Sequence, residues 1–436
     1  MVVYPYLINN GFALYSDLIN PYPPAMLIFL AYFSKIFAYS IVSYQLLAWM
    51  VILALDISIF YIANRISKDK RLVLVASTFF IILSLPFGAN QLWFDLVQTL
   101  PIIFSAYYFY KFSQAGRARD LDISFLLVAV AITVKQQAIW LLLAYIAIII
   151  TRYSGEAKNL ISKIKLTYTF LLIVAVIHLA FIVHATNLRD FFDWVIYFPL
   201  LKASSAPGYL LPPTARQMLI TTSVILLFLP TILKGKTEAK LPFIASTSLL
   251  LFAYPRFDYF HLIPFIAVAS IYAGENFRLF LKIGVPAKAV VLITVIAISI
   301  FTLRFLSKNW TTEVRFFENE VLATAGLISI LTGAQDKIYI QNGPDQLLPL
   351  ALRLPPKPWI DEFPWYLENN AYQQRVTESL KKEKVSFIVY KEYLYNGQYE
   401  LGSYIPNEIA SYTGYNYEKY VQLRDGLWLN KRKSFN

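Results

Sequence analysis

Residues 11–38 read GFALYSDLINPYPPAMLIFLAYFSKIFA. The stretch sets one carboxylate, Asp17, between aromatic residues and three prolines, Pro21, Pro23 and Pro24, and then passes into an apolar helical pattern. Proline fixes φ and removes an amide donor, so Pro-Tyr-Pro-Pro cannot lie in lipid as regular helix and must sit in water or be covered by protein. The segment reads as a shaped loop at a membrane face that feeds an apolar helix. Asp17 is then either an ordinary turn or N-cap aspartate, or the carboxylate of a reaction centre with Tyr15 in its wall.

Composition gives the class. The 436 residues are 57% hydrophobic and 17% aromatic but only 15% charged, with a mean hydropathy of +0.51. That is too apolar for a soluble globule of this length, and it predicts a multi-pass membrane protein. Cysteine is absent, which excludes disulfides and thiolate metal sites, and His178, His184 and His261 are the only imidazoles. No metal ligand set and no required cofactor are read from the sequence; a divalent cation stays open. MVVYPYLINN at residues 1–10 has neither the basic nor the apolar region of a signal peptide, so targeting falls to the spans themselves.

The net charge of +12 does not point to a nucleic-acid partner, because of where it lies. Residues 1–306 hold 24 Lys and Arg against 12 Asp and Glu, whereas residues 307–436 hold 15 of each. The excess sits in short loops, such as Arg65, Lys68, Lys70 and Arg71, or Lys234, Lys236 and Lys240. These alternate with loops poor in Lys and Arg, the positive-inside pattern, which makes the basic set cytoplasmic.

A span needs about 20 apolar residues to cross a core about 30 Å thick. Residues 25–38 are shorter and carry Lys35, so they are expected to lie in the outer interface. Crossings are predicted over 41–63, 72–87, 94–111, 122–137, 138–151, 166–184, 217–233, 241–254, 260–274 and 287–306, with the last emerging outside. Asp56, inside the first of these, is either a proton relay or a helix–helix hydrogen-bonding group, the latter preferred. His178 and His184 read as core residues.

The outer segments carry the candidate chemistry. GANQLWFD (88–95) puts Trp93 and Asp95 at the mouth of a helix, and VKQQ (134–137) puts Lys135 and Gln136 at a sharp re-entry between apolar runs. Lys135 either snorkels to headgroups or serves a site on the side where positive charge is scarce. Residues 185–216 form a long loop, read as a lid over a bound lipid head. AYPRFDYFHL (253–262) sets Arg256, Asp258, Tyr259 and His261 together at a helix end. An arginine fork pairs with phosphate oxygens and an imidazole can donate beside it; the competing reading is an Arg256–Asp258 ion pair in an aromatic belt.

After Arg304 the composition becomes that of a water-exposed domain. Helices are expected over 312–333, 345–353 and 365–383, strands over KIYIQ (337–341) and VSFIVYK (385–391), and a hairpin over 417–430 around Asp425-Gly426. The fold class is therefore mainly α: a polytopic helical bundle of about 10–11 transmembrane helices with a small C-terminal extracytoplasmic α/β domain. The expected division is an external loop with interfacial helix at 1–40, a transmembrane domain at 41–306 and the α/β domain at 307–436.

GFALYSDLINPYPPAMLIFLAYFSKIF, VAVAITVKQQAIWLLLA and AYPRFDYFHLIPFIAVAS, in that order, resemble the polyprenyl-phosphate-sugar-dependent glycosyltransferases of the GT-C superfamily, in the branch of the protein O-mannosyltransferases and lipid A aminoarabinose transferases. The resemblance implies an enzyme of the cell membrane that moves a sugar from a polyprenyl-phosphate donor to a glycan, lipid or protein acceptor at the outer face. It also implies a loop acid that activates the acceptor and basic residues that neutralise the leaving phosphate. The family's principal loop acid stands close behind a first span, ahead of the Y-x-D element, and nothing in this chain occupies that place; a missing first transmembrane helix is the expectation. Asp17 is the remaining candidate, with Lys135, Gln136, Arg256, Asp258 and His261 assigned to the donor phosphate or sugar, and Tyr15, Asp95 and Tyr259 as additional members. A transporter would show related halves and midplane charges, and an envelope scaffold would need no cation at the lipid mouth.

Overall fold

The computed structural model describes residues 1–88, 92–152, 171, 174–175, 179, 187–205, 209–310, 313–314, 317–361, 364–367, 370–393 and 405–434. The chain divides into two compact units, one of residues 44–181 and 211–310, the other of residues 1–43, 182–210 and 311–436.

The first unit is helical. Helices Phe94–Ala115 and Ala118–Val134 form a hairpin that turns at Gly116, whose left-handed φ of 63° lets its amide close the helix end on the Phe112 carbonyl at 2.8 Å. The two helices approach closely because serines meet at the contact: the Ser105 and Ser124 hydroxyls each donate to the other's carbonyl at 2.9 Å. Tyr145, from helix Ile139–Arg152, stacks on Phe109 with ring centroids 4.0 Å apart. Helix Ile263–Ile271 is apolar on every side except Ser270 and is buried at all nine positions, which makes it central to the core.

Among the described residues, three helices are long and apolar enough to cross a bilayer by themselves, Ile41–Ile66, Lys70–Phe87 and Val285–Asn309. The expected crossings at 217–233, 241–254 and 260–274 are instead built from consecutive pieces: Ala215–Leu226 and Leu229–Lys234, Thr237–Ser246 and a 3₁₀ stretch Thr247–Ala253, a 3₁₀ turn Tyr259–Leu262 and Ile263–Ile271. Pro230 and Pro264 stand in the first turn of the second piece, where the missing amide costs no helical hydrogen bond. The predicted span 166–184, with His178 and His184, lies almost wholly outside the described residues. Asp56 is half-buried and makes no hydrogen bond among the described residues, so the helix–helix bond preferred for it is not present there.

The second unit carries a four-stranded sheet of β1 (Ile338–Gln341), β2 (Phe387–Lys391), β3 (Tyr417–Gln422) and β4 (Leu427–Arg432), in the order β1-β2-β4-β3. β1 and β2 are parallel, with Ile338 opposite Phe387, and helix Asn370–Lys382 belongs to the crossover that a parallel pair requires. β3 and β4 are the predicted hairpin, turned where Asp425 and Gly426 take φ of 53° and 69°.

Residues 1–43 belong to this same unit. The Trp359 amide donates to the Asp17 carbonyl at 2.7 Å and the Ile19 amide to the Trp359 carbonyl at 3.2 Å, so the loop 11–24 is stitched to the segment before helix 370–382. The Tyr4 hydroxyl donates to Asp361 at 2.5 Å. In helix Ala25–Phe37, the Ala31 carbonyl accepts from the Asn9 amide at 2.8 Å. Residues 187–205, the described part of the loop read as a lid, pack here too, with Trp194 centred 5.2 Å from Tyr372 and Phe198 stacked 5.5 Å from Tyr366.

Gly274 is where the helical unit has no room. A Cβ there would lie 2.3 Å from the Leu72 carbonyl oxygen, a backbone atom that cannot swing aside. Gly274→Ala should therefore cost about 1–3 kcal/mol as overpacking, read as a lower melting temperature in detergent. Gly326→Ala, which meets no atom within 4 Å, should not destabilise.

Candidate functional site

Asp95 sits in the first turn of helix 94–115, where the helix dipole favours an anion. Its side chain is 1% exposed. Lys135 follows the last residue of helix 118–134 in extended conformation, which turns its side chain off the helix and into the unit, where it is 2% exposed. Its Nζ reaches both carboxylate oxygens of Asp95, at 2.8 and 2.9 Å. From the 3₁₀ turn 259–262, which precedes the buried helix 263–271, the Nδ1 of His261 lies 3.2 Å from Asp95 Oδ1 and 3.2 Å from Lys135 Nζ. The tautomer in which Nδ1 accepts a Lys135 proton puts the ring proton on Nε2, where it is a donor.

Further polar groups surround the cluster. Gln98, one turn after Asp95, donates to Asp95 Oδ1 at 3.4 Å, and the Thr99 hydroxyl donates to the Asp95 carbonyl at 2.6 Å. Gln137 donates to the carbonyls of Phe252 and Tyr254 at 3.3 and 2.9 Å, fixing the 134–138 re-entry against the run that leads to Arg256. A buried ammonium and carboxylate are tolerable only when each compensates the other and the remaining lone pairs and protons are satisfied. The Asp95–Lys135 pair meets that condition.

The structure thus brings together three of the residues read from the sequence: Asp95, Lys135 and His261. Gln136 is half-buried beside them in the turn Gln136–Ala138. Arg256 is half-buried in a backbone bridge with Leu211, where the Leu211 amide donates to the Pro255 carbonyl at 3.1 Å and the Phe257 amide to the Leu211 carbonyl at 3.0 Å. Asp258 is exposed, and its carbonyl accepts from the His261 amide at 3.2 Å. Tyr259 packs edge-on to Phe87 and Phe257, with centroids 5.6 and 5.4 Å away.

Asp17 belongs to the other unit. One of its carboxylate oxygens, Oδ2, accepts from the Ala13 amide at 3.2 Å and from Lys357 Nζ at 2.9 Å, whereas Oδ1 makes no hydrogen bond among the described residues. The carboxylate is partly exposed, with 31% of the side chain accessible. Tyr15 is buried with a left-handed φ of 67°, its hydroxyl on the Tyr22 carbonyl at 2.8 Å and its ring edge-on to Phe191 at 5.5 Å. Ser16 donates to Asp190. Lys357 was not singled out by the sequence reading, and no local signal marks it: it stands in PPKPW, 340 residues from Asp17. Gln98 had a signal, since i and i+3 share a helix face with Asp95. Among the described residues, no group of three or more His, Asp or Glu is arranged to hold a metal ion.

Residues 21–184 match the family profile described as dolichyl-phosphate-mannose-protein mannosyltransferase. Among solved structures, the chain is similar to ArnT from Cupriavidus metallidurans, seen in a crystal structure bound to undecaprenyl phosphate. The identity is 13% and the TM-score 0.63, with 98% of this chain and 92% of that chain covered. A likeness at this identity is one of fold. No curated protein sequence matches the chain.

Removing one partner of the buried pair leaves an uncompensated charge. Lys135→Met or Asp95→Leu alone should cost about 3–5 kcal/mol, and the double substitution should recover most of that loss, because two apolar side chains leave no charge behind. Denaturant unfolding of the four proteins in one detergent measures both.

Proposed function

We propose that this chain, a member of the GT-C superfamily of membrane glycosyltransferases, transfers a sugar from a polyprenyl-phosphate carrier to a glycan, lipid or protein acceptor at the outer face of the cell membrane. The observation that carries the reading is the fold held in common with ArnT over 98% of this chain, in a chain whose residues 21–184 match the mannosyltransferase family profile. The alternating distribution of Lys and Arg between loops supports the outer face for residues 11–24 and 307–436.

In this proposal Asp17 is the catalytic base. Lys357 and the Ala13 amide hold Oδ2, and Oδ1 is left to accept the acceptor's hydroxyl proton. As that O–H bond breaks, the acceptor oxygen forms a bond to the sugar C1; the bond from C1 to the phosphate oxygen breaks, and its electron pair leaves with the carrier phosphate. The proline-walled loop and the backbone ties to Trp359 keep the carboxylate in one orientation, so little ordering is needed at the transition state.

Arg256 is proposed to take the donor phosphate and His261 to hydrogen-bond it through Nε2–H, with Gln136 and Asp258 on sugar hydroxyls. Lys135 is a positioning residue here: both of its contacts to Asp95 are charge-assisted, and in the tautomer this proposal uses His261 Nδ1 accepts from its Nζ, which leaves the ring proton on Nε2.

Asp17→Asn keeps the shape and the Ala13 contact but removes the base, so transfer should fall by about 10²–10⁴-fold with an unchanged melting temperature. The measurement is transfer of radiolabelled sugar from a polyprenyl-phosphate donor in membranes expressing each protein. Transfer by the variant at the original rate would remove Asp17 from the chemistry.

A further inference from the structure

Apart from the clusters above, the unit of residues 44–181 and 211–310 contains a cavity of about 400 Å³ lined by Arg216, Phe301, Arg304, Phe305, Lys308 and Asn309. Phe301, Arg304, Phe305 and Lys308 recur at three- and four-residue intervals at the end of helix Val285–Asn309, so they share one face. Arg216 comes from the second residue of helix Ala215–Leu226. All three cations are exposed, and among the described residues none forms an ion pair with a carboxylate.

Ordinary causes account for two of the three. Arg304 and Lys308 lie in the last turns of their helix, where the dipole favours a cation and long side chains reach for headgroups. Arg216 has no such excuse. It lies in the first turn of its helix, where the dipole disfavours a cation, and it faces two further positive charges across the same cavity. A bound anion would offset both costs. Below the cavity the same helix shows an unbroken apolar stripe to its surroundings: Ile293, Ile296 and Ile300 are 65%, 60% and 48% exposed. At 1.5 Å per residue, Ile293 to Arg304 is a run of about 16 Å, long enough for a hydrocarbon chain to lie against.

We propose that this cavity binds the phosphate of a membrane lipid, with the two guanidinium forks and the Lys308 ammonium on the phosphate oxygens and the lipid's chain along the Ile293–Ile300 stripe. The ligand chemistry is a phosphate group carried on a long apolar chain. Both a polyprenyl phosphate and an anionic phospholipid present it, so the site does not depend on the sugar-transfer reading. The two arginines supply what a lysine cluster would not, a planar fork matched to paired phosphate oxygens.

The full chain in nanodiscs of phosphatidylcholine is titrated with polyprenyl phosphate, with phosphatidylglycerol and with inorganic phosphate, and compared with Arg216→Gln, with the double variant Arg304→Gln/Lys308→Gln and with Lys288→Gln as a charge-matched control on the same helix. Each cavity variant removes a charge-assisted contact and should weaken binding of at least one of the two lipids by about tenfold or more, and the control should not. The lipid that loses affinity identifies the source of the phosphate. Equal binding by all variants, an equal loss in Lys288→Gln, or a loss seen with inorganic phosphate and neither lipid would each overturn the proposal. The altered side chains are exposed, and unchanged melting temperatures will establish that the variants are folded.

Discussion

Taking a carboxylate and an ammonium out of water costs several kcal/mol for each ion, and the cost is recovered only where the two meet at hydrogen-bonding distance with their remaining valences satisfied. Asp95 and Lys135 meet in this way, and their contact fixes more than a pair of side chains. It joins the start of helix 94–115 to the end of helix 118–134, the two arms of a hairpin whose other end is closed at Gly116. His261 brings in the turn that precedes the fully buried helix 263–271. Three elements of the helical unit are thereby held at one level by a single polar knot, to which Gln98 adds a further contact on Asp95.

The other unit solves a different problem. A loop with three prolines and few amide donors cannot stabilise itself by regular hydrogen bonding. Its order is borrowed from a segment more than three hundred residues away: the Trp359 backbone donates to the Asp17 carbonyl and accepts from the Ile19 amide, and Lys357 takes the Asp17 carboxylate. The aromatic packing of Trp194 and Phe198 on Tyr366 and Tyr372 adds residues 187–205 to the same body. A carboxylate held at one oxygen and open at the other is a useful arrangement for accepting a proton, and it exists because the loop is tied down at both backbone and side chain.

The cations of the helical unit then fall into two kinds. Lys135 is compensated internally, and its charge serves to orient Asp95 and His261. Arg216, Arg304 and Lys308 have no carboxylate of their own among the described residues and surround open space. The first kind is neutralised within the protein; the second is not paired with a carboxylate among the described residues.

Residue types and their periodicity were enough to determine the helical membrane class, the strands at 338–341 and 387–391, and the hairpin at Asp425-Gly426, because each follows from local chemistry: apolar runs, β-branched and aromatic alternation, a turn that needs two left-handed residues. The same local chemistry drew attention to Lys135, a cation where a helix breaks, and to Asp95 at a helix mouth. It could not pair them. Forty residues separate Asp95 from Lys135, 126 separate Lys135 from His261, and 340 separate Asp17 from Lys357. Nor could it show that residues 1–43 form one body with 311–436. Which buried charge finds which partner depends on how helices and strands pack, and that packing is a property of the whole chain which no short window of sequence contains.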